Sequence, residues 1–239
     1  MRHIFIGALM ALALVSCKDD KKATGNLLVT GTIKDLKTGK LYLKEQADTT
    51  LVTIDSLIVD GDSNFEFDVN LDSPKMLFLY LDRGVTNSID DVVPFFAEKG
   101  KINIETNLKA FYADAKITGS ENQKLLEEYK KIQSRYRSIN LDLQQQRLNA
   151  IRFNKTFRLD SIDKASKDIV KKIYLMGINF SLNHRDKEVV PFILTTELYD
   201  MSFKYLDTIY KNLDPKVLKT RDGKKLQKLY EIRKQMEQQ

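Results

Sequence analysis

The sequence predicts an α+β fold: an N-terminal antiparallel β-sandwich or open barrel, then a C-terminal α-helical part with a long helical hairpin. Three observations carry this. Across residues 27–119, short β-branched and aromatic runs alternate with turn residues. Beyond Gly119 the apolar period changes to steps of three and four. The charge changes with it. Residues 27–118 hold 10 basic and 15 acidic residues, a net of −5, whereas residues 119–239 hold 25 and 16, a net of +9. A change of sign between halves marks two structural units.

The chain opens on Arg2 and His3, then an unbroken apolar run over residues 4–15. At about 1.5 Å per residue that run spans only ~18 Å, too short to cross a ~30 Å hydrocarbon core as a helix. Residues 1–16 therefore read as a secretion signal. Leu14-Val15-Ser16-Cys17 resembles a bacterial lipobox, so cleavage before Cys17 and acylation of its sulfur are expected. Cys17 is the sole cysteine of the sequence, which leaves no disulfide and no further thiol to the mature chain. Residues 17–26 are polar and aperiodic and read as a lipidated, flexible tether. Within it, Lys18, Asp19 and Asp20 resemble the lysine-plus-two-acids export signal of some Bacteroidetes lipoproteins. The expected location is extracytoplasmic, lipid-anchored to the outer membrane, with these three residues favouring display on the cell surface over the periplasmic leaflet.

Eight strands are predicted, at 27–33, 40–44, 51–59, 64–69, 75–81, 92–97, 101–105 and 115–118. Thr38-Gly39, Asp60-Gly61, Ser73-Pro74 and Lys99-Gly100 supply turns between most of them. Asp60-Gly61 reads as a tight hairpin, since glycine tolerates the positive φ such turns require. Phe65 and Phe67 alternate with Asn64, Glu66 and Asp68, giving one buried and one wet face. Strands this closely spaced, with no helical period between them, favour an antiparallel sandwich over a βαβ sheet.

The helical part covers 120–239. Ser120 is placed to cap its first helix, with Gln123 three residues on completing a capping box. Leu125, Tyr129, Ile132, Tyr136, Ile139 and Leu143 form a heptad-like stripe. A second stripe runs through Ile162, Ala165, Ile169, Ile173, Met176 and Phe180. Two such helices, turning near 149–154, most simply pack as an antiparallel hairpin. Shorter helices are expected at 190–199, at 201–213 and from about Lys224, with Asp214-Pro215 as a cap followed by proline at the first helical position.

The stretch TIDSLIVDGDSNFEFDVNLDSPKMLFLYLD, followed by FFAEKGKINIE and AKITGSENQKLLEEY, resembles a Bacteroidetes domain of unknown function. That family usually opens lipoproteins that end in a thioredoxin-like, AhpC/TSA-type domain. Its pattern is an Ile-Asp-Ser strand, a glycine-containing hairpin, a Phe-x-Phe strand, a hydrophobic strand and a helical spacer, matched here in order from residue 27 onward. VVPFILTTELYD through RDGKKLQKLYEIRKQ also resembles the spacer. The resemblance implies a lipid anchor, a β part and a helical spacer. Redox activity is not carried over, because the sequence holds no Cys-x-x-Cys.

Other constellations bear on chemistry. Asp60-x-Asp62-x-Asn64 opens like a calcium loop, but Phe65 stands where Gly is needed and Leu71 where Glu is needed, so a turn is expected. Asp90-Asp91 is a carboxylate pair of the kind hydrolases use, yet no further acid is placed beside it, and a solvated loop is expected. His184, the single histidine of the mature chain, lacks spaced partners for a triad or metal site and is expected near a helix end. Arg135-Tyr136-Arg137 mixes basic and aromatic residues as glycan and nucleic-acid surfaces do, but Tyr136 belongs to the apolar stripe and reads as core. Asp48-Thr49-Thr50, Asp55-Ser56-Leu57, Asp160-Ser161-Ile162 and Asp207-Thr208-Ile209 resemble the Asp-Ser/Thr-apolar site of Bacteroidetes O-glycosylation.

No catalytic residue, metal site or cofactor is expected. The basic half fits anionic lipid headgroups or acidic glycans, or is simply the solvated face of lysine-rich helices. Export argues against nucleic acid. The function expected is a non-enzymatic envelope protein, reaching the membrane through its N-terminal lipid and binding a protein or glycan partner. Two other readings stay open. An accessory that docks a separate thioredoxin-like oxidoreductase is marked by an exposed apolar patch at Leu226, Leu229 and Tyr230. A hydrolase is marked by perturbed carboxylates converging in a deep pocket.

Overall fold

A computed structural model describes residues 24–47, 50–84 and 88–238. Cys17, Lys18, Asp19 and Asp20 lie outside them, as do Asp48 and Thr49 of one glycosylation-like triplet. All eight expected strands are present: β1 (Leu27–Lys34), β2 (Thr38–Ala47), β3 (Thr50–Asp60), β4 (Asn64–Val69), β5 (Lys75–Asp82), β6 (Val92–Ala97), β7 (Gly100–Asn107) and β8 (Lys116–Thr118). They form two four-stranded sheets, in the orders β4-β1-β7-β8 and β3-β2-β5-β6. Alternation decides which side chains face inward. In β4, Phe65, Phe67 and Val69 are buried, while Asn64 and Glu66 are exposed. They meet Leu27, Val29, Ile102 and Ile104 of their own sheet and Leu41, Leu43, Leu77, Leu79 and Phe95 of the other in one shared core. Each such large side chain contributes about 1.5–3 kcal/mol when fully buried.

The connections depart from a stack of hairpins. β1 and β7 run parallel, with Leu27 opposite Gly100 and Gly31 opposite Ile104. A hairpin forces its strands antiparallel, but the chain reaches β7 by crossing from the other sheet at Lys99-Gly100, which imposes no such constraint. Asp60-Gly61 is also a crossing rather than a hairpin, because β3 pairs with β2 whereas β4 pairs with β1. Gly61 does adopt the positive φ of the turn, at 83°. Gly31 is needed for space instead: a Cβ there would lie 2.0 Å from the Ile104 carbonyl oxygen and 2.6 Å from the Phe65 ring.

Residues 24–26, assigned above to the flexible tether, are pinned to the sandwich. Asp68 accepts from the N–H groups of Thr24 and Gly25 at 2.6 and 2.9 Å. Asn26 and Leu71 share two further bonds, at 2.9 and 2.7 Å.

Six helices follow: α1 (Glu121–Arg152), α2 (Leu159–Asn183), α3 (Val189–Thr196), α4 (Phe203–Asn212), α5 (Pro215–Leu218) and α6 (Arg221–Glu237). Asp214 caps α5 through the Lys216 N–H at 2.8 Å, with Pro215 at the first helical position as expected. α6 starts ahead of Lys224 because Thr220 caps it, accepting from the Gly223 N–H at 3.1 Å. α1 and α2 form the antiparallel hairpin, turning at Phe153 and Asn154. The inner half of α1 supplies Leu125, Leu126 and Tyr129 to a second core with Phe96 of β6 and residues of α3, α4 and α6. The outer half differs from an apolar seam. Ile132 and Ile139 of the stripe are exposed, and α1 meets α2 through polar pairs, Arg147 with Asp163 at 2.9 Å and Ser166 with Asn140 at 2.7 Å. The cause is the number of neighbours: the inner half contacts both the sandwich and α3, whereas the outer half runs beside α2 alone and buries a narrower stripe. Among the described residues, no helix is long and apolar enough to cross a membrane.

Gly31→Ala places a methyl group against a backbone carbonyl at the centre of β1. It is expected to cost about 1–3 kcal/mol through overpacking. Urea unfolding should show a lower midpoint at an unchanged slope.

Candidate functional site

β6 is an edge strand, so some of its N–H groups find no partner within the sheet. Gln123, in the first turn of α1, supplies one: its Oε1 accepts from the Phe96 N–H at 2.7 Å. Ser120 caps α1 as expected, accepting from the Gln123 N–H at 3.0 Å. The capping box is not closed, because the Gln123 side chain turns to β6 and to Glu127 rather than back to Ser120. The next residue back works in the same way. Buried Asn122 donates to Glu98 and to Glu188 and accepts from the Val189 N–H at 2.9 Å, joining the end of β6 to the start of α3. Glu98 also accepts from the Glu121 N–H, a carboxylate where the helix dipole favours one.

A second set of bonds ties α6 to the sandwich. Buried Lys75 of β5 reaches Glu45 at 2.5 Å and Asp72 at 2.9 Å. Arg221, opening α6, reaches the same Glu45 at 3.3 Å and donates to the Gln46 carbonyl, while its N–H donates to Ser73 at 3.1 Å. Burial opposes the charge of Lys75, but hydrogen bonds to Glu45 and Asp72 outweigh it and hold its pKa above 10.5. The hydrogen bond from Lys75 likewise holds Asp72 below 3.8 against partial desolvation.

Between these two networks lies an open cleft of about 780 Å³, with Asp72, Glu98 and Glu188 on its walls and Lys99, Lys216, Lys219, Arg221 and Lys224 around it. The three acids are committed to Lys75, to the α1 terminus and to Asn122. Lys99, Lys216, Lys219 and Lys224 are exposed and make no ion pair among the described residues. Glu98 and Glu188 are held by neutral donors and keep their negative charge, so the lining sets five cations against three carboxylates and carries a net positive charge on a frame fixed by hydrogen bonds. An anionic ligand is what such a surface attracts.

The residues singled out from sequence fall elsewhere. Asp90 is exposed, but Asp91 is 1 % exposed, paired with Arg83 and accepting from the Ser88 N–H at 3.2 Å. That corrects the solvated-loop expectation: Ser88 caps a short 3-10 turn over 89–91 and aims Asp91 inward. Asp62 accepts from the backbone and side-chain N–H groups of Asn64 at 2.9 and 2.8 Å, a turn contact. His184 sits at the C-cap of α2, its ring 4.6 Å from that of Phe180. Tyr136 is half-buried, while Arg137 pairs with Glu197 at 2.8 Å. Ser56 is exposed on β3, whereas the Ser161 and Thr208 hydroxyls donate to the Arg158 and Lys204 carbonyls. Leu226 is fully buried, and Tyr230 and Leu229 pack with it, so these three form no exposed patch. Asp68, Asp72 and Asp207 are all held below the usual carboxylate range, chiefly by hydrogen bonds from Thr24, Lys75 and Lys211 respectively, the opposite of a tuned general acid.

Residues 27–126 match a family described as a domain of unknown function (DUF4369). The matched segment includes every strand and the start of α1, with both Asn122 and Gln123. No curated protein matches the chain.

Gln123→Ala leaves the Phe96 N–H buried without a partner and is expected to cost about 1–3 kcal/mol, read as a lower urea midpoint. The Lys75 network sets a pH window. Asp72, lower in the folded state, contributes stability above its unfolded pKa near 3.8 and loses it as pH falls through the folded value. Lys75, raised, contributes below its unfolded pKa near 10.5 and loses that contribution as pH rises through the folded value. Melting temperature should therefore hold through neutral pH and fall at both extremes, and Lys75→Met should flatten the alkaline fall.

Proposed function

We propose that the chain is a non-enzymatic binding module of the cell envelope, held to the outer membrane by a lipid on Cys17, whose junction cleft takes an acidic glycan. The observation that carries this reading is the charge of the cleft. Four lysines without ion-pair partners line it together with Arg221, and these five cations outnumber its three carboxylates, of which Asp72 is paired with Lys75. Lysine ammonium groups on flexible stems suit a polyanion whose charges are spaced along a chain, because they bind as adjustable point charges. The anchor rests on the lipobox-like Leu14-Val15-Ser16-Cys17 and the surface location on Lys18, Asp19 and Asp20. Docking of a thioredoxin-like protein lacks comparable support, since Leu226 and Tyr230 are turned into the core. Hydrolysis lacks it as well, since Asp91 is neutralised by Arg83 and Asp72 by Lys75.

Residues 18–239 contain every described element and are the form to titrate with polygalacturonate and with uncharged dextran. Binding of polygalacturonate alone, weakening with salt, is expected. The triple change Lys216→Glu, Lys219→Glu, Lys224→Glu should weaken it at least about tenfold, since like charges then face the ligand. Undiminished affinity in the triple variant contradicts the cleft as the site. Separately, radiolabelled palmitate should enter the exported full-length chain and be lost on Cys17→Ser.

A further inference from the structure

The far end of the α1–α2 hairpin has a composition unlike the rest of the chain. Residues 143–159 contain no Asp or Glu, yet hold Arg147, Arg152, Lys155 and Arg158. The same segment exposes large apolar side chains where the chain reverses: Leu148 and Ile151 on the last turns of α1, Phe153 at 62 % and Phe157 at 81 % exposure. The tip holds its shape through backbone bonds. The Phe153 N–H donates to Asn149 at 3.0 Å, the Lys155 N–H to Ala150 at 2.7 Å, and Asn154 takes the left-handed conformation that closes the turn. Arg147 is paired with Asp163, but Arg152, Lys155 and Arg158 make no ion pair among the described residues. Two of them lie over the exposed rings, Arg152 at 5.6 Å from Phe153 and Arg158 at 5.9 Å from Phe157.

α1 alone has 32 residues, so this tip stands up to about 48 Å from the α1 start that is bound to β6. Exposed phenylalanines at a projecting apex are not needed for the core, and their burial elsewhere is favourable. We propose that the hairpin tip inserts into the headgroup region of an anionic phospholipid bilayer. Phe153 and Phe157, flanked by Leu148 and Ile151, enter the acyl boundary, and the unpaired cations meet lipid phosphates. Charge complementarity selects this occupant: an apolar apex whose three unpaired cations outnumber the nearest acid, Asp160 in the first turn of α2, matches a surface that is apolar beneath and negative above. The inference is independent of the cleft and of acylation. With a lipid at Cys17, the tip is a second membrane contact, and two weak contacts anchor far better than one.

The test uses residues 18–239, which lack the acylated sulfur, and sedimentation with vesicles of phosphatidylglycerol and phosphatidylcholine, or of phosphatidylcholine alone. Binding to the anionic vesicles, decreasing with salt, is expected. Phe153→Ser with Phe157→Ser should lower the partition at least about tenfold. Arg152→Gln with Arg158→Gln should lower it about fivefold per charge and flatten its salt dependence. All four positions are on the surface, so melting temperature should not move and misfolding is separable from lost binding. Failure of the unsubstituted chain to bind at low salt overturns the proposal. So does equal binding by the tip variants, which would place the contact on another basic face. A dimer abolished by Phe157→Ser, without vesicle binding, would overturn it in favour of self-association.

Discussion

The hydrogen bond from the Phe96 N–H to Gln123 is the contact on which the architecture turns. An edge strand must find partners for its outward N–H groups, and one left buried and unpaired costs about 1–3 kcal/mol. Here the partner comes from the first turn of the following helix, so the need of one sheet edge fixes where α1 begins. With that point set, Asn122 falls between Glu98 and the start of α3, and the Phe96 side chain falls into the helical core rather than the sandwich core. Arg221 closes the other side by joining Glu45 and Ser73. Sandwich and helices are thereby one body with a cleft in its seam.

Charge is distributed over that body by the same logic. Acids near the seam are held inward by Lys75, Asn122 and the α1 terminus, while the lysines of α5 and α6 stand without ion-pair partners and outnumber them at the cleft. At the opposite extreme, the hairpin tip pairs only Arg147. Part of the positive balance of the helical half thus falls at two distinct places, one concave and polar, the other convex and apolar. Their shapes argue for different ligands, an acidic polymer in the first and a lipid surface at the second.

Strand existence was legible because alternation is local: Phe65 and Phe67 announce an inward face without any knowledge of the partner sheet. The caps at Ser120 and Asp214 were legible for the same reason. Pairing was not. Asp60-Gly61 reads as a hairpin because glycine reports the local φ and says nothing about which sheet receives the next strand. The seam between α1 and α2 is less apolar than its stripe implies, since a heptad-like stripe tells that a face is buried but not by how many neighbours. Of the cleft, sequence carried only the basic excess after Gly119. Gln123 reads as a capping residue, and nothing within one helical turn reveals that its partner lies 27 positions earlier on β6. The burial of Asp91 is not legible in Asp90-Asp91 itself, because it depends on Arg83, which meets it through the fold.

Joined through this seam, sandwich and helices should behave as one cooperative unit. Residue-resolved hydrogen exchange under native conditions tests that directly. Amides of Ile102 and Ile104 in the sandwich core and of Tyr129 and Ile193 in the helical core should share the same highest opening free energy and shift together when Gln123 is changed to Ala. Exchange of the helical amides at a clearly lower free energy, unaffected by Gln123→Ala, would show two independent units and contradict the account.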